Sequence, residues 1–81
     1  DLMYTDQMKR AFASLQSSCP RGFSVDLIDN KDFITIRMDS AKILKLNHDD
    51  KLRAVEYVMR VKDAFEQHGA IVMVTRTPLE Y

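Results

Sequence analysis

The sequence predicts an α+β fold, a small two-layer sandwich in which two helices cover one face of a mostly antiparallel sheet of three to four strands, in the order α-β-β-(β)-α-β. Three observations lead there. A long helical stripe of apolar residues runs between Asn47 and Gly69, two alternating segments flank the turn at Asp29-Asn30-Lys31-Asp32, and Ala70–Val74 is apolar without a break.

The first helix is set by Thr5, whose hydroxyl can cap it, with Asp6 at the positive end of its dipole. Met8, Phe12 and Leu15 follow at the i, i+4, i+7 spacing of one face, and Ala11 widens that stripe. Ser17, Ser18 and Pro20 should end it, so a surface helix is expected from Asp6 to about Ser17. Arg21 and Gly22 then turn the chain into Phe23–Leu27, where Phe23, Val25 and Leu27 alternate inward. The run Phe33–Met38 returns it as a hairpin partner, with Ile34, Ile36 and Met38 as its core set. The segment Ala41–Leu46 is read as a short third strand.

Asn47 caps the second helix, Asp49 and Asp50 sit in its first turn, and Gly69 offers the left-handed position that stops it after Gln67 or His68. Stepping about 100° per residue, Ala54, Val58, Val61 and Phe65 form a core stripe with Tyr57 and Ala64 along its flank. Leu52, Val55 and Met59 project elsewhere, which makes the apolar arc wider than packing on one sheet requires. Such a second stripe is more often a second core layer, here against the first helix, than an interface. The closing strand, apolar on both faces, reads as central rather than edge.

Helix, hairpin, helix, strand resembles the ferredoxin-like plait with its first strand removed. The resemblance is one of element order alone, and it implies an open sheet edge, which chains cover by pairing with another strand.

Composition bounds the rest. At 81 residues with 46% apolar and 30% charged side chains, the chain is expected to form one globular domain, residues 1–81, excised from a larger protein. Twelve basic and twelve acidic residues cancel, which removes the long-range attraction that a phosphate backbone demands. The lone Cys19 and the lack of a signal-like start favour an intracellular, cytoplasmic setting.

No residue pattern carries catalysis. Cys19 has no base at a readable spacing, and His48 and His68 sit at helix ends where structural roles suffice. Asp26, Asp29 and Asp32 lack the spacing, glycine and closing glutamate of a calcium loop. Two glycines, Gly22 and Gly69, leave no phosphate cradle. The basic run Arg37, Lys42, Lys45, Lys51 and Arg53 is interspersed with Asp39, Asp49 and Asp50, as on a solvated face. RNP1 and GxxG patterns are both missing, so nucleic acid is the disfavoured partner.

The expectation is therefore a non-enzymatic protein–protein interaction or oligomerisation module, without cofactor, metal or membrane insertion, whose partner is another protein or a second copy. Its candidate interface residues are Leu52, Val55, Met59, Ile71, Val72, Met73 and Val74. The alternatives are a plait-type RNA-binding domain and a small-molecule-sensing regulatory domain using the cleft between helices and sheet.

Overall fold

The structure is a computed structural model and describes residues 4–79. Its elements are α1 (Asp6–Ser14), a 3₁₀ turn (Gln16–Ser18), β1 (Val25–Asp29), β2 (Ile34–Met38), α2 (Ser40–Lys45), α3 (His48–Gln67) and β3 (Val72–Arg76). The fold is α+β, with α1 and α3 layered on a three-stranded sheet of order β1-β2-β3.

Three features depart from the sequence expectation. Residues 41–46 are not a third strand. The Asp39 carboxylate accepts the amides of Ala41 at 2.9 Å and Lys42 at 3.4 Å, capping α2 instead. Ser40 then fastens this short helix to the chain leaving β3: its amide donates to Thr77 Oγ1 at 3.0 Å and its hydroxyl to the Thr77 carbonyl. The sheet is also mixed rather than mostly antiparallel. β1 and β2 form the expected hairpin, from Val25 opposite Met38 to Asp29 opposite Ile34. β3 runs parallel to β2, from Ile34 beside Val72 to Met38 beside Arg76. The α2–α3 crossover is long enough to return the chain to the end where β2 began, which a tight turn cannot do. Finally, β3 is an edge strand, because β2 already holds the central place.

The core is built where the helices meet β2. Ile34 and Ile36 are 1% and 0% exposed, and beneath the helices they join Met8, Tyr57, Val61 and Phe65. Aromatic packing orders this layer: Tyr4 meets the Phe65 ring edge-on at 5.7 Å, and Phe23 meets Tyr57 at 6.3 Å in the same manner. The Tyr57 hydroxyl, taken inside with its ring, is satisfied by Gln16 Nε2 at 2.7 Å.

Both ends of α3 are as expected. The Asn47 side chain accepts the Asp50 amide at 2.8 Å. At the other end Gly69 adopts φ of +88°, its amide donates to the Glu66 carbonyl at 3.0 Å, and the Ala70 amide donates to the Phe65 carbonyl at 3.1 Å. This is the Schellman pattern, and its usual apolar clasp is the buried pair Ala70 and Phe65. It ends the helix and aims the chain into β3.

Two tests follow from this packing. In urea denaturation, Phe65→Ala, at a cost of about 3–5 kcal/mol, should leave no cooperative transition because it removes most or all of the net stability of so small a core, whereas Asn47→Ala, which removes one cap, should cost about 1 kcal/mol and shift the midpoint. Burial raises the Tyr57 phenol above its ordinary value of 10.0, against the smaller lowering effect of the Gln16 hydrogen bond. Below that value the phenol is neutral folded or unfolded; above it the unfolded chain ionises first, so stability falls as pH climbs toward the folded value. Tyr57→Phe should make urea midpoints measured between about pH 9 and 11 fall less steeply. The decline should not vanish, since burial also raises the Tyr4 phenol.

Candidate functional site

Val55 and the β3 candidates lie on one rim of the molecule, the outer edge of β3 and the flank of α3 beside it, with Met59 at its margin, whereas Leu52 projects from the back of α3. Residues Ile71 to Val74 are drawn into extended structure by the Schellman turn before them and by pairing with β2. The hydrogen bonds of that pairing identify which backbone groups are used. The Ile34 amide donates to the Ile71 carbonyl at 2.9 Å, and the Thr77 amide donates to the Met38 carbonyl at 2.8 Å. A parallel ladder alternates, so the amides and carbonyls of Met73 and Thr75 also point at β2. Those of Val72, Val74 and Arg76 point away from the sheet. Among the described residues no further strand pairs with them.

The side chains follow the same strand alternation. Val72 and Val74 share the helix-covered face with Ile34 and Ile36, while Met73 lies beside Thr35 on the bare face. Cover is incomplete on both sides: Val74 is 37% exposed, Met73 50% and Ile71 64%. Val72 alone of the candidate set is partly buried against the core.

Leu52, Val55 and Met59 do not form a second core layer with α1. They are 53%, 59% and 48% exposed. The groove between α1 and α3 is lined from α3 by Arg60, Asp63, Ala64 and Gln67 and from α1 by Ala11 and Ser14. At 100° per residue, Val55 lies across the core stripe from that flank, whereas Leu52 and Met59 project from the back of α3, roughly 150° and 130° from the centre of the stripe. The Tyr4 amide donates to the Asp29 carboxylate at 2.9 Å, which ties the start of α1 to β1. The α3 flank turned away from α1 is therefore on the β3 side of the molecule. Around the stripe the charge is largely self-contained, with Lys62 Nζ at 2.9 Å from Glu66 Oε1.

The other candidates are dispersed. The Cys19 thiol, raised by burial, donates to the Phe23 carbonyl at 3.2 Å and is a neutral packing group. His48 and His68 stand at opposite ends of α3, a helix of about 30 Å. Asp29 accepts the amides of Tyr4 and Lys31, both at 2.9 Å, so it organises the hairpin turn. Among the described residues no group of three or more His, Cys, Asp or Glu side chains is arranged to hold a metal. The basic run is spread over β2, α2 and α3, and much of it is engaged: Arg37 with Asp26 at 3.2 Å, Lys42 with the Ser24 hydroxyl at 3.1 Å, and Arg53 with Asp50 at 3.5 Å. No described helix is long and apolar enough to cross a membrane.

One feature escaped the sequence reading. An open groove of about 640 Å³ lies between α2 and the chain leaving β3, with Leu44 and Leu79 exposed along it. Reading 41–46 as a strand hid it. The charged groups on its walls are Asp39, already used as a helix cap, and Lys45, which define no ligand chemistry.

No family model, no curated protein and no solved structure matches this chain.

The pattern of backbone groups on β3 has a direct readout. In dilute solution, amide hydrogen exchange should be slow at Met73, Thr75 and Thr77 and faster, by roughly tenfold or more, at Val74 and Arg76. Equal protection across residues 72–77 at low concentration would contradict the open edge.

Proposed function

We propose that this chain is a non-enzymatic protein interaction module that docks another polypeptide along the β3 edge and the adjoining flank of α3. The observation that carries the reading is the coincidence of free backbone groups on β3 with the exposed side chains of Ile71, Met73 and Val74 on the same strand and of Val55 and Met59 on α3. Free edge groups favour strand addition, and the side chains beside them supply desolvation and selectivity. Exposed apolar residues scattered singly would mean nothing; grouped along an open edge, they form the kind of patch that partners cover.

The reading also agrees with what the chemistry lacks. The thiol is neutral, the histidines are remote from one another, and Asp26, Asp29, Asp39, Asp50 and Glu66 serve a cap, a turn and ion pairs. The methionines of the rim, Met59 and Met73, suit a docking surface because their side chains adapt to a partner's shape.

The test compares immobilised wild-type chain with two rim variants, Met59→Lys and Met73→Lys, and with Ala13→Lys on the exposed side of α1, in capture from an extract of the source cells. Capture of a defined set of proteins should fall about tenfold or more for the rim variants and stay unchanged for Ala13→Lys, a loss of about 1.4 kcal/mol or more. Capture indifferent to the rim substitutions, in variants whose melting temperatures match wild type, would overturn the proposal.

A further inference from the structure

The backbone of β3 narrows the choice of partner. Its free edge groups belong to Val72, Val74 and Arg76, spaced evenly about Val74. Antiparallel strands bond through mutual pairs at every second residue. An edge that presents 72, 74 and 76 therefore matches an inverted copy of itself: 72 with 76, 74 with 74, and 76 with 72, every pair hydrogen-bonded. Val74 falls on the two-fold axis, and two-fold pairing is the commonest symmetry of homo-oligomers. We infer that the rim is occupied by a second copy of this chain, two β3 strands joining antiparallel at Val74 to make one continuous sheet, with the α3 flanks side by side above the seam. The inference rests on the reading of this rim as a docking surface and names its occupant.

The side chains fit that arrangement. Burial falls from 0% at Ile36 to 37% at its neighbour Val74 in a single strand step, so α3 stands inboard of β3. Strands lie about 4.8 Å apart, so two helices standing over β2 lie about 14 Å apart across the seam, a gap that the side chains on their facing flanks, rather than close helix packing, would have to span. Val55, on the flank turned away from α1, and Met59, at its margin, then have a surface to meet. Five exposed apolar side chains, Val55, Met59, Ile71, Met73 and Val74, offer on the order of 100 Å² each, so ~500 Å² per copy, against the ~800 Å² per partner of a standard interface that is a little over half apolar. Charge does not oppose the pairing. Arg76 of each copy lies opposite Val72 of the other, leaving the two Arg76 Cα atoms about 13 Å apart along the strands, and Lys62 is already neutralised by Glu66.

The register makes the test specific. In a hydrogen-bonded antiparallel pair the Cα atoms are about 5.5 Å apart, inside the range a disulfide spans. In a Cys19→Ser background, Val74→Cys should cross-link to a covalent dimer under mild oxidation at least tenfold faster than Gln7→Cys, which lies on α1. Sedimentation of the wild-type chain from about 1 μM to 1 mM should show a monomer–dimer equilibrium, weakened at least tenfold by Val74→Lys. Circular dichroism of the variants should match wild type. Amide protection at Val74 and Arg76 should rise with concentration. A wild-type chain that stays monomeric throughout the range overturns the inference. So does a dimer that is indifferent to Val74→Lys, or one whose Val74→Cys form cross-links no faster than Gln7→Cys. A monomer that still captures other proteins through the rim ends this inference alone; a monomer whose captures ignore the rim ends the docking reading with it.

Discussion

The contact on which the molecule depends is that of two residues on the central strand, Ile34 and Ile36, with the underside of α3. They are the points where the hairpin and the crossover share one core, and the buried stripe from Ala54 to Phe65 lies over them. In a chain this small a single core yields only ~3–5 kcal/mol of net stability. Every apolar side chain left outside it is then conspicuous. The rim along β3 draws its meaning from that contrast: β2 is sealed by helices on one face and by strands on both edges, while β3 is sealed on one edge only.

The same division accounts for how the described polar groups are used. A reactive group needs burial, a partner of suitable charge and an approach for substrate. Here the buried polar groups are spent on architecture. Tyr57 is held by Gln16, Ser40 is bound to Thr77, and Cys19 donates to a carbonyl. Some of the exposed charges make short-range pairs, such as Lys62 with Glu66 and Arg53 with Asp50, that contribute little to stability.

Much of this was legible in the residues. The ends of α3 are written by Asn47 and Gly69, the hairpin by its alternation, and the apolar surplus by the width of the helical arc. What was not legible has physical reasons. Ala41–Leu46 is too short for either a two-residue or a 3.6-residue period to declare itself, and the cap that makes it helical is a carboxylate two residues upstream, at Asp39. The direction of β3 depends on where a crossover delivers the chain, which side-chain pattern does not encode. A strand apolar on both faces fits a central slot and an uncovered edge equally well, so its place in the sheet had to come from three dimensions. The stripe of Leu52, Val55 and Met59 was visible as surplus, but its distance from α1 was decided by which flank of α3 the first helix chose.

The parallel pairing of β3 with β2 has a consequence for how the molecule comes together. β1 and β2 meet across a turn of four residues, whereas β2 and β3 are separated by the 33 residues from 39 to 71. The hairpin and the two crossover helices can form from local contacts, in microseconds, while closing the longer loop carries the greater entropic cost. Pairing β3 with β2 thus carries the larger loop-closure cost, and without β3 the flank of β2 carrying Ile34 and Ile36 would be an unpaired, strongly apolar edge. The Schellman turn at Gly69 offsets part of that cost, because it fixes the direction in which Ala70 and the strand behind it leave α3.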